Sequence, residues 1–417
     1  MRSALEKDVV WEEPVSPRFE MARILQENQD RTVFFEDVTG SDMPVVGNLS
    51  PTRDRICAQL GTTKESLISF VLRAVDNPLE PVQVGQAPCQ ERTLKGLHDL
   101  PVLTNFEKDA GPYIASGIVI ARDPEYGRNA SFHRMLVRDE NHMGIRIVER
   151  HLHKFFTRAE ERGEPLEVAA CIGLHPAVLF SAAYSLPLGV DEMALAGAIL
   201  GKPLEMVKCK TVEVEVPAAA EIVIEGRLLP GMREDEGPFV DITGTYDIVR
   251  KQPVFEVTKI TTRKDPIFHA LLPSGAEHKI YMGLPQEPRI FKAVGQVARV
   301  KNACLTDGGC NWLHGAVSIQ KEKEDDGINA ARAALEGHPS MKHVIVVDED
   351  IDIFNPRQLE FAMATRFQAD RDTLVIKNVK GSSLDPSAEE GAMTTKVGID
   401  ATKRLDRLDN YEMARIP

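Results

Sequence analysis

The spacing of apolar positions changes along this chain, and each change predicts an element. Phe19, Ala22, Ile24 and Leu25 fall at helical intervals, and the apolar runs at 32–38 and 43–49 read as strands. Thr62 and Glu65 have the spacing of a capping box and place a helix over 65–75. Prolines and polar residues from 77 to 90 mark a long connection. From Gly111 the texture turns β-rich, with an apolar strand at 115–122 and a hairpin of 129–138 with 142–148 around Asp139, Glu140 and Asn141. Alternation within 129–138 puts Ser131, His133 and Met135 on one face and Phe132, Arg134 and Leu136 on the other. Arg134 therefore shares a face with apolar residues, where a cation sits either at an edge or buried for a task.

Helices are predicted at 151–162, closed by Gly163, and near 175–183, with a buried strand at 166–172 between them. Asp191 is placed to cap a helix over 192–200, which puts Glu192 in a first turn where the helix dipole favours a carboxylate. Strands at 206–216 and 221–229 lead into a turn-rich segment, followed by a strand at 254–263 and a loop at 272–278. Beyond residue 300 helix and strand alternate again, as a strand at 342–348, a helix at 356–365 and a strand at 373–377. The tail, 391–416, reads as polar and partly helical, suited to packing on a neighbouring subunit. The fold class is α/β (α+β), divided at 1–110, 111–300 and 301–417.

Charge narrows the partners. Sixty-three acidic against 50 basic residues, a net charge of −13, argue against a nucleic-acid binder, which needs a basic footprint. They leave room for a small anionic substrate held by a local cluster of Arg and Lys. The six cysteines lack CxxC spacing and fit buried thiols in a reducing cytosol. The N-terminal stretch is charged, and the longest apolar run, 176–190, is broken by Ser181, Ser185 and Pro187. The expectation is a cytoplasmic protein with no membrane partner.

The candidate chemistry begins at Glu236-Gly-Pro-Phe-Val-Asp241, where Gly237 and Pro238 disfavour a helix and place both carboxylates on a fixed loop. Two carboxylates held close allow one to stay charged while the other carries a proton. A solvated acidic surface loop fits the segment equally well. Rival motifs fail: Gly197 to Pro203 has one residue too few for a phosphate loop and Pro where Ser or Thr would bind magnesium. No GxGxxG after a strand, HExxH or GxSxG occurs. Asn129, His151 and Glu192 make a plausible oxygen-and-nitrogen set for a divalent ion such as Mn²⁺ or Mg²⁺, and Arg134 offers a fork for a carboxylate. The residues alone lead to a metal-assisted site for an anionic substrate with a two-carboxylate proton relay.

Taken in order, several stretches resemble the UbiD-like decarboxylases, which use prenylated FMN. These are Asn129-Ala-Ser-Phe-His-Arg134, Arg150-His151, Gly189-Val-Asp-Glu192 with Gly197-Ala-Ile-Leu-Gly201, Glu221-Ile-Val-Ile-Glu-Gly226, Glu236 to Asp241, Val347 to Asp352, and Thr395-Lys396-Val-Gly-Ile-Asp400. The resemblance spans 111–401. It implies an N-terminal α/β domain, a central flavin-binding split β-barrel and a C-terminal α/β oligomerisation domain. It matches Asn129, His151 and Glu192 to the ligands of a Mn²⁺ (or Mg²⁺) that meets the cofactor phosphate, with a K⁺ nearby. Phe132, His133 and Arg134, with Arg146, Ile147, Val148, Arg150 and His151, would line the flavin, and Lys396 would contact its phosphate. Arg134, Glu236 and Asp241 match the catalytic network, with Asp241 delivering the proton after CO₂ leaves and Arg134 orienting the substrate carboxylate.

The compact stretches 269–279, 306–315 and 366–372 look like the archaeal-type subgroup, which resembles decarboxylases of trans-anhydromevalonate 5-phosphate that yield isopentenyl phosphate. Arg150 and the His278-Lys279 pair are candidates for the extra cations a phosphorylated substrate needs. The alternatives are an aromatic or heteroaromatic acid substrate, or a non-catalytic assembly subunit that retains the flavin site. The family implies a flavin prenyltransferase as cofactor supplier, and a homodimer or higher homo-oligomer.

Overall fold

The computed structural model describes every residue except Arg415 and Pro417, and the chain forms two compact units, Met1–Tyr281 and Met282–Pro417. In the first unit a four-stranded sheet runs Val9–Trp11, Val33–Phe35, Val45–Gly47 and Phe268–Ala270. Its last strand comes from far along the chain, and one apolar core joins Leu25, Phe35 and Val45 to Phe156, Ile224 and Phe255. Burying such side chains contributes roughly 1.5–3 kcal/mol each, which ties this sheet to the larger one.

The larger sheet orders its strands as Tyr113–Ile114, Met135–Val137, His142–Ile145, Arg250–Thr262, Ile222–Glu236, Leu166–Ile172, Ile118–Asp123 and Gly127–Phe132, with Arg92–Leu94 also paired to Arg250–Thr262. The strand path is open, so the expected split barrel is not closed. The expected single strand over 129–138 is two: Gly127–Phe132 pairs with Ile118–Asp123, and Met135–Val137 pairs with His142–Ile145. Arg134 lies in the break between them, because the two halves sit at opposite ends of the sheet order.

The strand expected to end near Leu229 runs on to Glu236. Pro230 and Gly231 interrupt pairing only locally, between Leu228 and Arg233, and it resumes from Arg233 opposite Pro253 to Glu236 opposite Arg250. Glu236 therefore ends a strand and does not ride on a loop. A second irregularity follows Glu225, where a Cβ on Gly226 would lie 2.0 Å from the Glu256 carbonyl oxygen, so the close approach of these strands requires glycine.

Other expectations shift for similar reasons. The helix at 65–75 is Leu67–Asp76, beginning after Ser66, so the Thr62–Glu65 capping box does not form. The strand expected over 206–216 is a hairpin of Glu205–Lys208 with Glu215–Pro217. The expected loop at 272–278 runs into the Ala276–Gly283 helix. Asp191 does cap the Glu192–Leu200 helix, accepting the Met193 N–H at 2.9 Å.

In the second unit, five strands are ordered Arg299–Leu305, His314–Gln320, His343–Asp348, Met393–Ala401 and Thr373–Lys380. The tail is thus partly a strand: Met393–Ala401 pairs with both His343–Asp348 and Thr373–Lys380. Arg415, within the expected tail, lies outside the described residues. Five of the six cysteines are buried free thiols. Among the described residues no helix is long and apolar enough to cross a membrane.

Candidate active site

The paired strands Ile222–Glu236 and Arg250–Thr262 are joined by an excursion over 237–249, which builds the site. The excursion makes a small hairpin of Phe239–Val240 with Tyr246–Asp247, and Phe239 stands directly across from Asp247. Cross-strand partners share a face, and both of these side chains land on Arg134. The Phe239 ring lies 4.5 Å from the guanidinium carbon, and Asp247 Oδ2 accepts from Arg134 Nη2 at 3.1 Å. Residues 108–110 anchor the hairpin: Ala110 N–H donates to the Pro238 carbonyl and Lys108 N–H to the Tyr246 hydroxyl, both at 3.1 Å.

Arg134 meets Glu236 with a two-pronged ion pair, Nε to Oε1 at 2.8 Å and Nη2 to Oε2 at 2.9 Å. The side chains are 9% and 0% exposed, so removing one partner would cost about 3–5 kcal/mol. Asp241 is looser: its Oδ2 lies 3.5 Å from Arg134 Nη1, and its Oδ1 accepts the Ile242 N–H at 2.7 Å. The three expected catalytic residues are therefore together, with Glu236 locked to Arg134 and Asp241 at a longer distance from it.

Sequence reasoning missed Tyr113, Asp247 and Arg250. The Tyr113 hydroxyl donates to Glu236 Oε1 and accepts from Gly237 N–H, both at 3.1 Å. Burial, then the charge of Glu236, pushes its phenol far above the ordinary tyrosine value, so it stays a donor. Arg250 Nη1 donates to Asp247 Oδ2 at 2.5 Å. Burial alone would raise the Asp247 pKa, but hydrogen bonds and charge from Arg250 and Arg134 outweigh it and hold the carboxyl below its usual value. Only pairing across long stretches of chain assembles these groups, although the Glu236–Arg250 register makes the second arginine's position intelligible.

His278, on the Ala276–Gly283 helix, is kept neutral by burial against the opposing charge of Asp241, and its Nδ1 accepts the Ser274 N–H at 3.0 Å. His269, by contrast, is a core residue paired to Glu277 at 3.1 Å. Glu221 and Glu225 serve the structure: Arg2 grips Glu221 at 2.9 Å through two nitrogens, and Glu225 accepts from the Lys210 and Thr211 backbone.

The flavin-lining candidates form two strips joined by backbone. Arg146 N–H donates to the Arg134 carbonyl at 3.1 Å, and His133 Nδ1 meets the Arg146 carbonyl at 2.8 Å. That bond places the proton on Nδ1 and leaves Nε2 to accept from Ser131 at 2.9 Å. Burial lowers the His133 pKa to about 4, so the ring is neutral. Ile147 N–H is held by Gln252 at 2.8 Å, while Phe132 packs 5.7 Å from the Tyr281 ring. Val148 is exposed and Arg150 precedes the His151–Glu161 helix.

Of the metal candidates, Asn129 and Glu192 are brought together: Asn129 Nδ2 donates to Glu192 Oε1 at 3.1 Å, and Ala130 N–H to Oε2 at 2.9 Å. Burial pushes the Glu192 carboxyl up to about 8, a penalty that a divalent cation would relieve. His151 is kept neutral by burial and by the charges of Arg150 and Lys154, which leaves a ring nitrogen available for coordination. Among the described residues His151 makes no hydrogen bond to Asn129 or Glu192, and no three His, Cys, Asp or Glu cluster as a metal site. A site here needs the amide oxygen of Asn129, and the hard oxygen and imidazole donors fit Mn²⁺ or Mg²⁺. A cleft of about 500 Å³ opens beside the start of the Glu192–Leu200 helix, with Arg122, Arg128, Asp191 and Glu215 in its lining, and the Arg134 cluster is not part of that lining. Lys396, in the second unit, is buried with Nζ on the Pro339 carbonyl.

The chain matches the family models for the N-terminal, Rift-related and C-terminal domains of 3-octaprenyl-4-hydroxybenzoate carboxy-lyase (UbiD), over residues 5–75, 80–276 and 279–401. It is 46% identical over 409 residues to the anhydromevalonate phosphate decarboxylase of Methanothermobacter thermautotrophicus, covering 98% of this chain and 96% of that protein. It is similar to the solved UbiD-class enzyme HmfF from Pelotomaculum thermopropionicum in complex with FMN, at 41% identity and a TM-score of 0.95, covering 98% of this chain and 94% of that one. An evolved dimeric form of HmfF in complex with prFMN aligns at 40% identity and a TM-score of 0.91, with the same coverage.

Proposed function

The chain belongs to the UbiD family of carboxy-lyases, and on that premise we propose that it is a prenylated-FMN-dependent decarboxylase converting trans-anhydromevalonate 5-phosphate to isopentenyl phosphate and CO₂. Likeness along the whole chain to an anhydromevalonate phosphate decarboxylase supports the substrate. The observation that carries the chemistry is the buried Arg134–Glu236 pair with Asp241 standing 3.5 Å off.

Prenylated FMN, when bound, supplies the chemistry that lets the bond to the carboxyl carbon break. The protein's part is to bind, orient and move a proton. Arg134 has an N–H pair on Nη1 facing the Asp241 side, where it would orient the substrate carboxylate. As CO₂ leaves, the electron pair of the broken C–C bond stays on the former carboxyl-bearing carbon, and Asp241 gives that carbon its proton. Glu236 stays charged against Arg134, which leaves the proton to Asp241.

Asn129, His151 and Glu192 would hold a Mn²⁺ or Mg²⁺ that neutralises the cofactor phosphate, with K⁺ nearby. The strips Phe132–His133–Arg134 and Arg146–Ile147–Val148 with Arg150 would border the flavin. Arg150 and the His278-Lys279 pair remain the candidates for the substrate phosphate, and with His278 neutral the charge of that pair is on Lys279. A flavin prenyltransferase would supply the cofactor, and a homo-oligomer is the expected assembly.

Coexpression with a flavin prenyltransferase and Mn²⁺, followed by assay of CO₂ release from anhydromevalonate phosphate against a panel of aromatic acids, tests the reading. CO₂ with isopentenyl phosphate is the expected product pair. Turnover confined to aromatic acids would overturn the substrate, and flavin-loaded protein inert toward every acid would favour a non-catalytic assembly subunit.

A further inference from the structure

Three carboxylates converge on Arg134, and the one contributed by Asp247 matches none of the catalytic expectations above. A guanidinium has five N–H groups. Nε and one Nη2 hydrogen face the two oxygens of Glu236, and Nη2 also reaches Asp247 Oδ2 at 3.1 Å. Nη1 is left toward Asp241 at 3.5 Å, an ion-pair distance longer than a good hydrogen bond. Asp247 is itself fully engaged: Oδ2 also takes Arg250 Nη1 at 2.5 Å, and Oδ1 takes the Ile248 N–H at 2.9 Å. Its place is set by the cross-strand pairing with Phe239, whose ring covers the guanidinium.

We propose that Asp247 is a positioning residue that occupies the remaining Nη2 direction of Arg134, so that Asp241 is not drawn into an ion pair and can carry the proton. The role of Asp241 rests on the decarboxylase reading above. Without the negative charge of Asp247, one less carboxylate competes for the Arg134 guanidinium, and Asp241 closes onto it. The neighbouring charges agree with this. His278, on the helix packed beside the turn, is neutral and opposes little of the Asp241 charge. Arg146 and Arg250 add positive potential around Asp247 and Glu236, which makes the third carboxylate necessary for balance. Asp109, the remaining acid that senses Arg134, has its carboxyl pushed up by burial, which favours the neutral form and weakens it as a substitute. Lys279 and Glu277 act on His278 with opposite sign.

The test compares Asp247→Asn and Asp247→Glu with the wild type, in crystals and in turnover. Asn keeps the shape and one acceptor but removes the charge. In the Asp247→Asn crystal, Asp241 is expected to close from 3.5 Å to hydrogen-bond distance of Arg134. In turnover, kcat should fall about tenfold or more while KM changes by less than about threefold. Asp247→Glu, which returns the charge, should restore kcat. A residue that only supports the fold would change kcat and KM together, and that result overturns the proposal. So does a crystal in which Asp241 has not moved. Should Asp247→Asn fail to fold, Asp247→Ser, smaller and still polar, carries the same expectations. If wild-type protein loaded with prenylated FMN decarboxylates no acid, the decarboxylase reading falls, and the crystallographic comparison still decides what Asp247 does to Asp241.

Discussion

Replacing Tyr113 with Phe removes one oxygen and leaves the ring, which packs tilted against Phe239 at a centroid distance of 4.6 Å, in place. That oxygen serves two buried partners, the fully buried Glu236 carboxylate and the Gly237 N–H, each at 3.1 Å. A hydrogen bond to a charged group contributes about 1.5–3 kcal/mol, and an orphaned buried N–H costs about 1–3 kcal/mol. The two losses share one atom and do not simply add, so about 3 kcal/mol is the expected cost. If that cost falls on opening of the 237–249 excursion, the Gly237 amide should exchange with deuterium about 100-fold faster in the variant. Hydrogen-exchange mass spectrometry on peptides covering 236–250 measures it directly, with the Met393–Ala401 strand of the second unit as an internal control. Unchanged protection at Gly237, or an equal loss in both units, would refute the idea that this hydroxyl clamps the carboxylate to the turn.

Further outcomes follow from the same geometry. Asp241→Asn should abolish decarboxylation while flavin absorbance in the purified protein stays normal, since Asp241 is not part of the flavin-lining strips; near-normal turnover would remove it as the proton donor. Glu192→Ala should lose metal and cofactor together, measured by elemental analysis and the flavin spectrum. Because burial holds the Glu192 carboxyl at about 8, Mn²⁺ binding by the wild type at pH 7 should release roughly one proton, read by calorimetry in buffers of different ionisation enthalpy. His133 gives a stability effect of known sign. Its folded pKa of about 4 lies below the unfolded 6.5, so the unfolded chain binds the extra proton and stability falls as pH drops through that window. The full loss is about 3 kcal/mol, and His133→Gln should flatten the dependence of the urea midpoint on pH between 6.5 and 4. An unchanged slope would mean the ring is not buried neutral.

The comparison of chain and structure divides along the range of the interactions. Elements governed by nearby residues were legible: the Asp191 cap, the helix that stops before Gly163, and the hairpin around 139–141. The motifs that carry Arg134, Glu236 and Asp241 stand intact in order along the chain, and the structure brings these three side chains together. What could not be read depended on pairing between distant segments. Pro230 and Gly231 predict the end of a strand, yet pairing with 250–253 carries it on to Glu236. The polar texture of 393–401 hides a strand that two neighbours hold within a sheet. Tyr113, 123 residues from Glu236, and Asp247, 113 residues from Arg134, have no local signal that joins them to the site. Sequence alone thus determined which side chains are the candidates for the chemistry, because residue type and local spacing set charge, donors and caps. Tertiary structure decided how each carboxylate meets Arg134, with Glu236 gripped twice, Asp247 beside it and Asp241 3.5 Å off, because that depends on the five N–H directions of one arginine and on which distant acids reach them.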